Sequence, residues 1–132
     1  MSSIPVGARG SFSLVVAPEH LANRFKDATL PPVLATPVMI MMMENASLNA
    51  IKPYLDTGTT ALGTRVDVRH LAATPAGQRV TAEAEVTKIE QGRIEFRVMA
   101  RDQLEEIGVG THERVLVELV RFSARLASKS RR

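Results

Sequence analysis

At 132 residues, 45% apolar and 23% charged, the chain has the length and composition of one domain with a single core. It has no cysteine, which excludes disulfides and thiolate catalysis, and no apolar run approaches the roughly 18 residues of a membrane span. The net charge of +3 belongs to the C-terminal end: residues 121–132 carry Arg121, Arg125, Lys129, Arg131 and Arg132 and no acid, while residues 1–120 hold 12 basic and 14 acidic groups.

That distribution, with four Phe, one Tyr and no Trp, argues against a nucleic-acid partner, which wants a basic face interleaved with stacking rings. Residues 1–10 lack the charged-then-apolar order of a secretory signal, so a cytoplasmic location and no membrane partner are expected. Phe12 to Val16 reads as a short strand, and residues 18–35 as irregular, because Pro31-Pro32 forbids a helix there. Thr36-Pro37 starts a helix, with Thr36 as the cap, and Pro53 ends it after about Lys52. Ile40, Glu44, Leu48 and Ile51 share one face of it at steps of three or four.

Strands follow. Ala61 to Leu71 is the first, and Pro75-Ala76-Gly77 is a turn. Val80 to Val86 and Ile94 to Ala100 alternate with their apolar residues at even numbers, on either side of a Gln91-Gly92 hairpin. Ile107 to Phe122 reads as a long last strand. Strand, apolar helix and then four strands in an antiparallel meander give an α+β fold, a sheet of five strands curled around one long central helix. The domain is expected to span residues 1–126, with 127–132 a basic tail. Exposed strand edges predict a homodimer, or a tetramer built from it.

Glu44 is the one charge in Pro37-Val38-Met39-Ile40-Met41-Met42-Met43-Glu44-Asn45-Ala46. A carboxylate in such a place costs several kcal/mol unless it is paired, hydrogen-bonded or protonated. Thr36 precedes it by eight residues, and His70 closes the next strand. A carboxylate, a hydroxyl at a helix N-terminus and an imidazole are the parts of acyl-transfer chemistry. Each also has a structural role open to it: Glu44 as a backbone cap, Thr36 as the helix cap, and His70 as a satisfied hydrogen-bonding histidine. Met39, Met41, Met42 and Met43 fit as core filler. His20, His70 and His112 are too scattered for a metal site, so no metal is expected.

Ala35-Thr36, Glu44, Leu62-Gly63-Thr64, Val68 to Gly77 (VRHLAATPAG) and Glu106 to Arg114 (EIGVGTHER) resemble, in order and spacing, the fluoroacetyl-CoA thioesterase family. The resemblance covers roughly residues 10 to 125 and implies a hotdog fold. It implies hydrolysis of a short- or medium-chain acyl-CoA, with CoA part of the substrate and no cofactor. It carries catalytic roles onto Thr36, Glu44 and His70, a glycine near the thioester onto Gly63, and an arginine near the acyl pocket or CoA onto Arg114. His112 is the second histidine candidate for the substrate site. The family's aromatic lid falls on Leu30, a departure that argues against fluoroacetyl specificity. The competing readings are a non-catalytic acyl-CoA binding module and a hotdog hydratase or dehydratase.

Overall fold

Val80, Ala82, Ala84 and Val86 on one strand and Ile94, Phe96, Val98 and Ala100 on the next are all buried, as their even-numbered parity requires. They form β3 (Arg79–Glu90) and β4 (Arg93–Arg101). Gln91 and Gly92 join them with φ of 52° and 80°, two left-handed residues in the tight turn that suits twisted strands. The computed structural model describes residues 3–131. The remaining elements are β1 (Arg9–Val15), α1 (Ala22–Phe25), α2 (Thr36–Ile51), β2 (Thr59–His70), β5 (Glu106–Glu118) and α3 (Leu119–Ser130). Segment 18–35 is less irregular than expected, because it holds α1 and one 3-10 turn, Pro18–His20.

All five strands pair antiparallel in the order β1-β3-β4-β5-β2, and α2 lies across the sheet, chiefly over β1 and β3. This is the expected curled sheet around one helix, with one correction. The meander contains only β3, β4 and β5, and β2 lies at the far edge against β5. Residues 71–78, with Pro75 among them, are too long for a hairpin and carry the chain from the β2 edge past β5 and β4 to β3, the strand next to the opposite edge. Gly110 lets β2 seat there, since a Cβ at that position would meet the Asp67 carbonyl and Val68 Cα.

The helix departs from expectation in which way it faces. Its buried residues are Val38, Met39, Met42, Met43, Ala46, Ser47, Ala50 and Ile51, while Ile40, Glu44 and Leu48 are half-buried. Met41 is exposed, unlike its neighbours. Gly10 of β1 crosses the helix where a Cβ would strike the Ala50 amide and Ala46 carbonyl, so the tightest packing falls on that side. Glu44 therefore sits on the flank turned toward β2, which no other element covers.

The last strand also ends sooner than expected. β5 stops at Glu118, whose partner Thr59 begins β2, so no ladder exists beyond that point. Leu119, Phe122 and Leu126 then recur at helical spacing, and the residues expected as the strand end and basic tail form α3. Every described residue of α3 escapes full burial. No described helix is long and apolar enough to cross a membrane.

Candidate active site

β2 carries two groups of site residues, and a bulge turns both toward the helix. Gly63 pairs with Arg114 and Arg65 with Glu113, leaving Thr64 as an extra residue. Side chains alternate along a strand, so Ala61 and Gly63 face inward before the bulge, and Val66, Val68 and His70 face inward after it. Without the bulge, one of the two groups would point to solvent.

The first group is at the start of α2. Thr36 is the first helical residue, and Ala35 is the cap, so the expected capping role of Thr36 does not hold. Its hydroxyl is instead free for His70, with Oγ1 2.8 Å from Nδ1. His70 Nε2 is buried and has no hydrogen-bond partner among the described residues. Burial pushes the imidazole below its ordinary value, opposed by a backbone hydrogen bond at Ala72. Thr36 and His70 open on a cleft of about 410 Å³ walled by Leu30, Val33, Leu34, Leu71 and Ala72, among others. Leu30 is thus part of the cleft wall beside the pair.

The second group surrounds Gly63. A Cβ at Gly63 would lie 2.9 Å from Glu44 Oε2, 3.2 Å from His112 Cε1 and 3.6 Å from Arg114 Nη1. His112 and Arg114 stand two apart on β5, so they share its inner face. Arg114 is only 8% exposed. Its Nε and Nη2 donate to the Ala61 carbonyl at 3.2 and 2.7 Å, and its Nη1 lies 3.2 Å from His112 Nε2. A guanidinium has donors only, so His112 Nε2 accepts. The His112 proton is therefore on Nδ1, which donates to the Arg65 carbonyl at 2.8 Å. Burial pushes His112 below its ordinary value; the Arg114 cation also lowers it, while the Arg65 carbonyl, Glu44 and Glu113 oppose. The ring stacks on Phe96 with centroids 5.8 Å apart. His112 is thus a fixed neutral imidazole, and Arg114 a buried cation beside the Glu44 carboxylate. Burial pulls Arg114 down from its ordinary value, and Glu44 opposes this.

Within one chain, then, Thr36, His70 and Leu30 come together, and Glu44, Gly63, His112 and Arg114 come together. The two groups remain apart: Thr36 and Glu44 are eight residues along one helix, about 12 Å of rise. His20 takes no part, since its Nδ1 accepts the Ala17 amide at 2.9 Å. Among the described residues, no group of three or more His, Asp or Glu side chains is arranged to hold a metal ion. The Ala61 carbonyl, which anchors Arg114, carries no signal in the sequence, because a backbone acceptor is independent of residue type.

Residues 16–119 match the fluoroacetyl-CoA-specific thioesterase family. The fluoroacetyl-CoA thioesterase of Streptantibioticus cattleyicolor is 42% identical over 130 residues, covering 95% of this chain and 94% of that protein. A solved structure of the fluoroacetyl-CoA thioesterase FlK superposes with a TM-score of 0.90 at 39% identity, covering 96% of this chain and 98% of the other. A Thermus thermophilus thioesterase superfamily member superposes with a TM-score of 0.92 at 35% identity, covering 99% and 96%.

Proposed function

The chain belongs to the fluoroacetyl-CoA-specific thioesterase family, and from that premise we propose that it hydrolyses acyl-CoA thioesters, as a cytoplasmic homodimer, at sites shared between two subunits. The observation that carries this reading is the Thr36–His70 pair at a helix start: both residues line a cleft, and His70 Nε2 is buried without a hydrogen-bond partner among the described residues.

The two groups share one strand with a free edge, on which Leu62 and Val66 are exposed. Two β2 edges paired antiparallel about Asp67 set Val66 beside Val68 of the partner subunit. Past the extra residue at Thr64, Gly63 then falls beside the partner's His70. That pairing removes both free edges and covers the half-buried flank of α2 that bears Glu44. Each site then combines Thr36 and His70 of one subunit with Glu44, Gly63 and Arg114 of the other.

The chemistry follows from these positions. The thioester carbonyl lies at the start of α2, where the Ala35, Val38 and Met39 amides are engaged and Pro37 has none, which leaves the Thr36 amide as donor. The Thr36 hydroxyl holds His70 Nδ1, so Nε2–H points at the same oxygen as a neutral donor. Glu44 takes a proton from water as the water oxygen bonds to the carbonyl carbon. Negative charge develops on the carbonyl oxygen against the Thr36 amide and His70 Nε2–H. The C–S bond then breaks, and Glu44 returns the proton to the CoA sulfur, giving free acid and thiol. CoA enters as part of the substrate, and no step calls for a metal or cofactor.

Release of free thiol from acetyl- to decanoyl-CoA tests the reading, with Glu44→Ala expected to lower kcat/KM by at least about a hundredfold. No thiol release from any of these substrates contradicts it.

A further inference from the structure

The Thr36–His70 pair is tied into a ring of contacts whose anchor lies outside the cleft. Asp102, just past the end of β4, is 8% exposed, and Thr74 is 0% exposed. Thr74 Oγ1 donates to Asp102 Oδ2 at 2.8 Å, and the Leu104 and Glu105 amides donate to Oδ1 at 2.8 and 3.0 Å. The Thr74 carbonyl accepts the Leu34 amide at 2.8 Å. Leu34 lies two residues before Thr36, and Thr74 lies four residues after His70. Since Thr36 and His70 are themselves bonded, the path from Thr74 back to His70, across to Thr36, back to Leu34 and across to Thr74 closes on itself.

We infer that Asp102 and Thr74 are positioning residues for the Thr36–His70 pair, an inference that rests on reading that pair as part of the hydrolytic site. Two segments must be held together for the pair to form, and neither is regular structure. Residues 71–78 connect two strands, and residues 26–35 lead into α2. Thr74 touches both, through its own chain to His70 and through its carbonyl to Leu34. Its hydroxyl fixes it to a carboxylate, which accepts a stronger bond than a neutral group does. Burial pushes the Asp102 carboxyl up, but the Leu104 amide, the Thr74 hydroxyl and the Glu105 amide outweigh burial and hold it below the usual carboxylate range. Asp102 is therefore a charged, fully engaged anchor at the pH of catalysis. The same ring sets the cleft wall, because Leu34, Ala72 and Ala73 all line it.

Thr74→Val removes the hydroxyl at nearly constant shape and leaves Asp102 Oδ2 without that donor. Its kcat on acyl-CoA should fall by about tenfold to a hundredfold, the scale of a small misplacement, with KM held within about threefold. Thr74→Ser should restore kcat. The second readout is the His70 titration followed by NMR, which does not require turnover. Loosening the ring admits water to a buried imidazole, so the His70 pKa should rise toward its ordinary value in Thr74→Val and return in Thr74→Ser. If Thr74→Val does not fold, Asp102→Asn serves. It keeps an acceptor for the two amides, loses the charge, and should show the same pattern in kcat and titration. A folded Thr74→Val, or the folded Asp102→Asn standing in for it, with wild-type kcat and wild-type His70 titration overturns the inference. A wild-type protein that releases no thiol sinks the hydrolytic reading instead, while the His70 titration still decides whether the ring holds the pair.

Discussion

Gly63→Ala separates the chemistry of the site from the stability of the fold. The added Cβ would lie 2.9 Å from Glu44 Oε2, where ordinary contact begins near 3.4 Å, so the carboxylate must retreat by about half an ångström. The atom that moves is the far end of a flexible side chain. Of the next nearest atoms, His112 Cε1 at 3.2 Å must give by a few tenths of an ångström, and Arg114 Nη1 at 3.6 Å is in ordinary contact. The fold should therefore lose less than about 1 kcal/mol, a shift of a few degrees in Tm at this size. Catalysis has no such slack. A misplacement near 1 Å can cost a hundredfold, so half of that should cost about tenfold in kcat, or 1.4 kcal/mol of barrier. Steady-state thiol release and a thermal melt on the same preparation read both quantities. Wild-type kcat would mean that Glu44 does not act from the place described. A loss of Tm beyond about 10 °C would mean that the wall around Gly63 is rigid and the separation false.

Three further outcomes are expected. The family resemblance implies that Leu30 stands in place of an aromatic lid, and an aliphatic chain cannot offer a C–F group the ring-edge contacts that an aromatic does. Fluoroacetyl-CoA should therefore be preferred over acetyl-CoA by less than about a thousandfold, or 4 kcal/mol, and a larger ratio of kcat/KM values contradicts this. His70 and His112 are both held below the ordinary value of 6.5 in the fold, so below that pH the unfolded chain binds more protons than the native one. Stability to urea should accordingly fall as pH drops from 7.5 through 6.5 toward the lowered native values, and a midpoint that is flat or rising over that range refutes the assignment. Ending the chain after Leu126 removes the exposed last turn of α3 and the two arginines that follow it, so Tm should stay within about 3 °C and KM should not change; a rise in KM that disappears at high salt would show instead that the removed lysine and arginines grip CoA phosphates.

The parts of the fold legible in the sequence were those set by local rules. The even-numbered apolar sets of β3 and β4 and the Gln91-Gly92 turn needed no tertiary information. Neither did the helix from Thr36 to the neighbourhood of Pro53. The direction of that helix was another matter. With methionines at 39, 41, 42 and 43 it is apolar nearly all round, so periodicity gives it no single buried face. Gly10, far away in sequence, decides which side packs tightly. The sequence likewise marks Ala61 to Leu71 as a strand but not which strand lies beside it. The end of β5 was set by where its partner begins, at Thr59, rather than by any change in composition at Glu118. Within the site, Thr36, Glu44 and His70 were nameable from residue types, and the family resemblance added Gly63 and Arg114. The pairing of His112 with Arg114 was also readable, since residues two apart on a strand share a face. The bulge at Thr64, which turns His70 and Gly63 to the same side, left no mark in the sequence. Nor did the Asp102–Thr74 anchor, whose members lie 28 positions apart.

The central claim is that Glu44 of one subunit works with Thr36 and His70 of the other. Mixing inactive Glu44→Ala and His70→Ala proteins, unfolding them together and refolding them measures it directly. In a mixed dimer one site carries both substitutions and the other carries neither. With random assortment half the dimers are mixed and each has one intact site of two, so about a quarter of wild-type turnover should return. If Glu44 and His70 act from the same chain, every site in the mixture carries a substitution, and no recovery above the separate mutants would contradict the account.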